Sequence, residues 1–198
     1  MEGLMLGLVV SCAVATVNGR LTARQAGYIR GWLLSDVAWQ RLGWIRLWRF
    51  ERALRHFIRA VMACDWATID RLFLESAGSY PIQIRCQVLE LCIAVAAAGS
   101  VGPEVFQRLK AICSRLMLGA SVLSEFIAKH LPLEALDQAD PWIILGIDED
   151  MGKDQVRQEL NRQYASWNAR ACSIDPVTRM RAAKMVDIIA QLRVGCGG

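Results

Sequence analysis

The chain has 198 residues, 54% of them hydrophobic and 21% charged, with a formal net charge of +4 at pH 7. That length suits one large domain or two small ones, and the apolar excess over the ~45–50% of ordinary soluble domains can fill a core and leave surface for a partner. So mild a charge gives no ground for a nucleic-acid function, and the absence of a Gly-rich phosphate loop, a nucleophile elbow or a paired-carboxylate pocket argues against an enzyme.

Seven cysteines stand at positions 12, 64, 86, 92, 113, 172 and 196, an odd number with no Cys-x-x-Cys pair. Most fall among Leu, Ile and Val on helical stripes, which reads as small buried thiols in a reducing cytoplasm. His56 and His130 are the only histidines, so a Cys/His zinc site is not expected; no cofactor is expected either.

No window alternates like a strand, whereas three-four spacing recurs throughout, and the fold class expected is all-α. The first helix spans 3–17, an apolar run too short for the ~20 residues that a bilayer needs and lacking a basic leader. It reads as a buried helix, with a membrane-directed leader as the alternative. A second helix covers 22–34 with Thr22 as N-cap.

Over 37–63 a helix rich in Trp and Arg follows, broken in phase by Gly43. Wound at about 100° per residue, it gathers Arg41, Arg52, Arg55 and Arg59 on one side with Trp44 and Trp48 beside them. That face suits anionic lipid headgroups or the acidic groove of a partner, or is simply a solvated basic face. A helix over 66–76, N-capped by Asp65, comes next. Helices at 81–98 and 103–117 carry Pro81 and Pro103 in their first turns, where a missing N–H costs little. A helix at 120–130 ends before Pro132, and 132–140 reads as an interdomain connection between domains at 1–131 and 141–198.

Two further helices close the chain, over 153–169 and 176–193, joined by a loop at 171–175. Val156, Leu160, Tyr164 and Trp167 form one apolar stripe, and Ala182, Met185, Val186, Ile189 and Leu192 form the facing one. An antiparallel hairpin follows, with Asp175 as N-cap and Pro176 at the first helical position.

The larger part contains an internal echo. Ala13–Leu21 lines up with Ile93–Val101, each a small-residue helix, a Gly turn and a second helix. This resembles a TerB-type (tellurite-resistance-like) helical bundle. In that family the turn Asp and following acids can bind a divalent cation. Here the Asp positions hold Asn18 and Ala98, and the acidic positions hold Arg24, Gln25, Glu104 and Val105, so no cation is expected.

The final segment resembles a J domain, the module that drives ATP hydrolysis by DnaK-type chaperones. Trp142-Ile-Ile-Leu-Gly-Ile147 is similar to the Tyr-x-x-Leu-Gly-Val opening, and 153–167 to the basic second helix. TerB followed by J is the order of DjlA-type co-chaperones. The family's His-Pro-Asp trigger is replaced by Asn168-Ala169-Arg170, which removes a charge and inverts another. The resemblance therefore implies a non-enzymatic, bacterial, cytoplasmic adaptor whose partner-binding residues are Lys153, Arg157, Arg162, Trp167, Asn168 and Arg170. A protein partner is expected, with a DnaK-type chaperone or a second copy of the chain (a homo-oligomer) among the candidates. A co-chaperone that still regulates a DnaK-type ATPase, and a peripheral protein of the inner membrane, are the alternatives.

Overall fold

Wherever the chain is described, three-four spacing has become helix. The structure is a computed structural model that describes residues 2–15, 17, 21–35, 80–148 and 150–196. The helices expected over 37–63 and 66–76 lie outside the described residues, and with them Arg41, Trp44, Trp48, Arg52, Arg55 and Arg59. Among the described residues all regular structure is helical, as expected. No described helix is long and apolar enough to cross a membrane.

The chain divides into two units, Met1–Leu118 and Gly119–Gly198. In the first, α1 (Glu2–Ala15), α2 (Ala23–Ser35) and α4 (Pro103–Arg115) surround α3 (Ile82–Ala97). Apolar residues occupy nearly all sides of α3, and Val88, Leu89, Leu91, Cys92, Ile93, Val95 and Ala96 are all buried. A helix that, apart from Arg85, is apolar on all but the narrow edge of Gln83, Gln87 and Glu90 belongs in the middle of a bundle. Against it lie the last turns of α1, where Val10 to Ala15 are buried without a break. Gly7 permits a close approach of α1 to α2: a Cβ there would come within 2.6 Å of the Trp32 ring.

Thr22 caps α2 as expected, accepting from the Gln25 N–H at 3.2 Å, while Gln25 Oε1 accepts from the Thr22 N–H at 2.9 Å. This reciprocal pair is a capping box. The remaining Gln25 amide donates to the carbonyl of Val95 at 3.3 Å, beside Gly99. A Cβ at Gly99 would lie 2.5 Å from that amide nitrogen. Pro103 takes the first turn of α4 as expected, but Pro81 stands one residue earlier, at the N-cap of α3.

The end of α4 is closed by Leu118 N–H to the Cys113 carbonyl at 3.1 Å and Met117 N–H to the Ser114 carbonyl at 2.9 Å. That is the Schellman pattern, with Met117 at φ 51° where glycine is usual. Arg85 adds a cation to the same helix end, donating to the Leu116 carbonyl at 2.9 Å.

The second unit holds α5 (Ala120–His130), α6 (Leu133–Leu136), α7 (Pro141–Leu145), α8 (Lys153–Arg170) and α9 (Pro176–Cys196). The division falls thirteen residues before the expected connection at 132–140, because α5 lies against α7 rather than ending the first unit. Nor is 132–140 an open connection: it contains α6, with Ala135 and Leu136 buried. Here Pro132 at an N-cap and Pro141 at N1 begin helices instead of breaking them.

The antiparallel hairpin of α8 and α9 forms as expected. Val156, Leu160, Ala182, Met185 and Ile189 are buried along its seam, each large apolar side chain contributing about 1.5–3 kcal/mol. Tyr164 and Trp167 are only half-buried, and Gln163 takes the buried place after Leu160. Asp175 caps α9, accepting from the Thr178 N–H at 2.9 Å and the Val177 N–H at 3.3 Å.

Candidate functional site

The site is built around a very short helix. Alone, a five-residue helix leaves its last carbonyls without partners. In α7 each of them is taken. The Ile147 N–H donates to the Trp142 carbonyl at 3.0 Å and the Gly146 N–H to that of Ile143 at 3.2 Å. The Ser124 hydroxyl, from α5, donates to the Ile144 carbonyl at 2.6 Å, and the Gln163 amide, from α8, donates to that of Leu145 at 2.6 Å. Gly146 makes the turn possible: its φ is 62°, and a Cβ there would lie 2.5 Å from the Ala120 carbonyl oxygen.

Two polar side chains thus bind α5 and α8 to a common element, and α9 is tied to α5 by a third. The Arg181 guanidinium donates to the carbonyl of Ala128, in the last turn of α5. A cation there satisfies an orphan acceptor and opposes the negative end of the helix dipole. Partial burial pulls the Arg181 pKa down from its ordinary value, though a guanidinium stays charged.

Between α5, α8 and α9 these ties leave a groove of about 750 Å³. Lys129, Arg162, Arg170 and Arg181 line it against one carboxylate, Glu125, among the described residues. Its floor carries Gln163, whose amide nitrogen also donates to Glu159 at 2.7 Å and whose Oε1 is buried with no hydrogen-bond partner. The Trp167 ring forms part of a wall, with the Arg170 guanidinium 4.5 Å from its centroid. That stacking is worth about 0.5–1 kcal/mol at an exposed position, and it holds a flexible cation in one place.

Arg162 is oriented by Glu159 through two hydrogen bonds, at 2.8 and 2.5 Å. Donation from Arg162, followed by that from Gln163, holds the Glu159 carboxyl below its ordinary pKa against the opposing effect of burial. The pair is exposed enough that its effect on stability is small, while its effect on where Arg162 points is direct.

Of the expected partner-binding residues, the groove brings together Arg162, Trp167 and Arg170. Lys153, Arg157 and Asn168 are exposed on α8 but do not line it. The tripeptide Asn168-Ala169-Arg170 closes α8, which runs one residue beyond its expected end at 169 and has Ala171 as C-cap. Lys129, Gln163 and Arg181 were not anticipated. The available signal for Gln163 was a polar residue on the Val156–Leu160 stripe; for Arg181, a cation next to the buried Ala182.

Elsewhere, Glu104 lies exposed in the first turn of α4 and Gln25 is buried in its capping box, while Asn18 lies outside the described residues. Among the described residues no group of three or more His, Cys, Asp or Glu side chains is placed to hold a metal ion. No protein-family model, curated protein or solved structure matches the chain.

Proposed function

We propose that the chain is a non-enzymatic protein-interaction adaptor, a TerB-like bundle followed by a degenerate J-like unit, acting in a bacterial cytoplasm. One observation carries this reading. Where a working J domain needs an aspartate, Arg170 closes α8 and lies over Trp167 at the edge of a cationic groove. A carboxylate replaced by a fixed guanidinium opposes any partner that binds the acid, at a cost on the order of 2–5 kcal/mol for an interfacial charge. The same guanidinium favours a partner carrying carboxylates.

The test is single-turnover ATP hydrolysis by a DnaK-type chaperone with and without the full chain. No acceleration is expected, either from the chain or from its Arg170→Ala variant. Acceleration that depends on Arg170 overturns the adaptor reading in favour of a divergent co-chaperone.

A further inference from the structure

We infer that the groove between α5, α8 and α9 receives an acidic peptide segment that carries an apolar anchor; this deepens the adaptor reading, on which it rests, by naming the partner's chemistry. Charge is the first ground. Four cations from three different helices line one cleft whose lining holds a single carboxylate, Glu125, while a second, Glu159, pairs with Arg162. Two of the cations are pre-placed, Arg162 by Glu159 and Arg170 by the Trp167 ring, so a carboxylate meets donors whose ordering is already complete.

The second ground is Gln163. Gln163 lines the groove while only 8% accessible, and its Oε1 is a buried acceptor without a partner. An unmade hydrogen bond at a buried group costs about 1–3 kcal/mol. The amide N–H of a peptide supplies the missing donor. A free carboxylate or a phosphate diester, acceptors only, does not.

The third ground is the apolar rim. Val177 lines the groove at the start of α9 while 63% exposed; Met180, one turn on, is 62% exposed, and Ile174 just before α9 is 96% exposed. Of these three only Val177 lines the cleft, and an exposed aliphatic side chain at the edge of a polar cleft marks the place of a covering side chain. A Leu, Ile or Met of the incoming segment fits there. The groove volume lies within the ~300–1,000 Å³ of ligand sites, so only a few residues of the segment are held.

The experiment is selection of a displayed library of random 12-residue peptides on the full chain. An enriched peptide, fluorescein-labelled, is then titrated by anisotropy against the wild type and the Lys129→Glu/Arg170→Glu double variant. Both substituted side chains are exposed, and an unchanged thermal transition serves as the check on folding. Enrichment of peptides with two or more Asp or Glu and one aliphatic residue is expected, with binding weakened at least tenfold by the double variant. Hydrogen exchange is expected to slow over 121–129 and 162–181 on peptide addition. No enrichment, enrichment of peptides without acidic residues, or affinity indifferent to the double variant overturns the inference. So does binding of phosphatidylglycerol vesicles, or self-association in sedimentation, that the same variant abolishes in place of peptide binding. Failure here leaves the ATPase result standing, and Arg170-dependent ATPase acceleration with an acidic selection leaves the groove assignment standing.

Discussion

The amide of Gln163 and the carbonyl oxygen of Leu145 meet at 2.6 Å, joining the middle of α8 to the last turn of α7. Because both groups are buried, this bond is worth more broken than made: loss of the donor strands a buried acceptor. Gln163→Ala is expected to destabilise the protein by about 1–3 kcal/mol in urea titration. Ser124→Ala, which strands the neighbouring Ile144 carbonyl, is expected to act in the same direction, and the two losses should be non-additive because both loosen one short helix. Strict additivity would mean that α7 is held by something other than these two side chains.

At the end of α4, the left-handed conformation of Met117 costs about 1–2 kcal/mol for a residue with a Cβ, offset in part when glycine's greater freedom in the unfolded chain is counted. The side chain is 71% exposed, so little packing is lost with it. Met117→Gly is therefore expected to stabilise by about 0.5–1 kcal/mol, seen as a raised thermal midpoint. A lowered midpoint would count against the left-handed assignment.

The hairpin of α8 and α9 could be read from spacing alone, because Val156, Leu160, Met185 and Ile189 repeat on faces that only helices present together. The membership of α5 could not. It is decided by Ser124 reaching the Ile144 carbonyl and by the Ala120 backbone nestling on Gly146, contacts between residues with no pattern in sequence. For the same reason the groove is half legible in the sequence: Arg162 and Arg170 stand out as charge on a helix, whereas Lys129 falls within the expected first domain. Gln163 carries no such signal, because apolar periodicity does not mark a glutamine on the seam.

Gly99 and Gln25 offer a test of the small-residue turn in the first unit. A methyl group at Gly99 must displace the Gln25 amide from the Val95 carbonyl. Gly99→Ala should destabilise by about 1 kcal/mol alone and by distinctly less in a Gln25→Ala background, a coupling that a double-mutant cycle reads directly.

Thiol reactivity should sort by burial. Desolvation pushes the Cys12 thiol up to about 12 and raises Cys92 still further, so neither offers thiolate at pH 8. Cys172 is exposed in the loop before α9. With iodoacetamide at pH 8, peptide mass spectrometry should find Cys172 modified in the native protein, and Cys12, Cys92 and Cys113 modified only in denaturant. Rapid native labelling of Cys12 would contradict the packing of α1 on α3.

Asp175 carries a pH dependence with a definite sign. Hydrogen bonds from Thr178 hold its carboxyl below the ordinary value of 3.8. A depressed folded-state pKa means that the capping contribution is fully present above that ordinary value and fades as pH falls through the folded one. The thermal midpoint of Asp175→Ala should lie below that of the wild type at pH 7, and the gap should narrow on acidification below about pH 4. A gap independent of pH would show that the carboxylate is not the capping group.

The two-sided support of α7 has a practical corollary for anyone dissecting the chain. Excising a piece at Pro141 would discard the Ser124 hydroxyl and bare the apolar flank of Ile143 and Leu145, and an orphaned five-residue coil of that kind has no means of staying wound. Severed instead between Leu118 and Gly119, the carboxy-terminal piece retains every tether that surrounds its cleft.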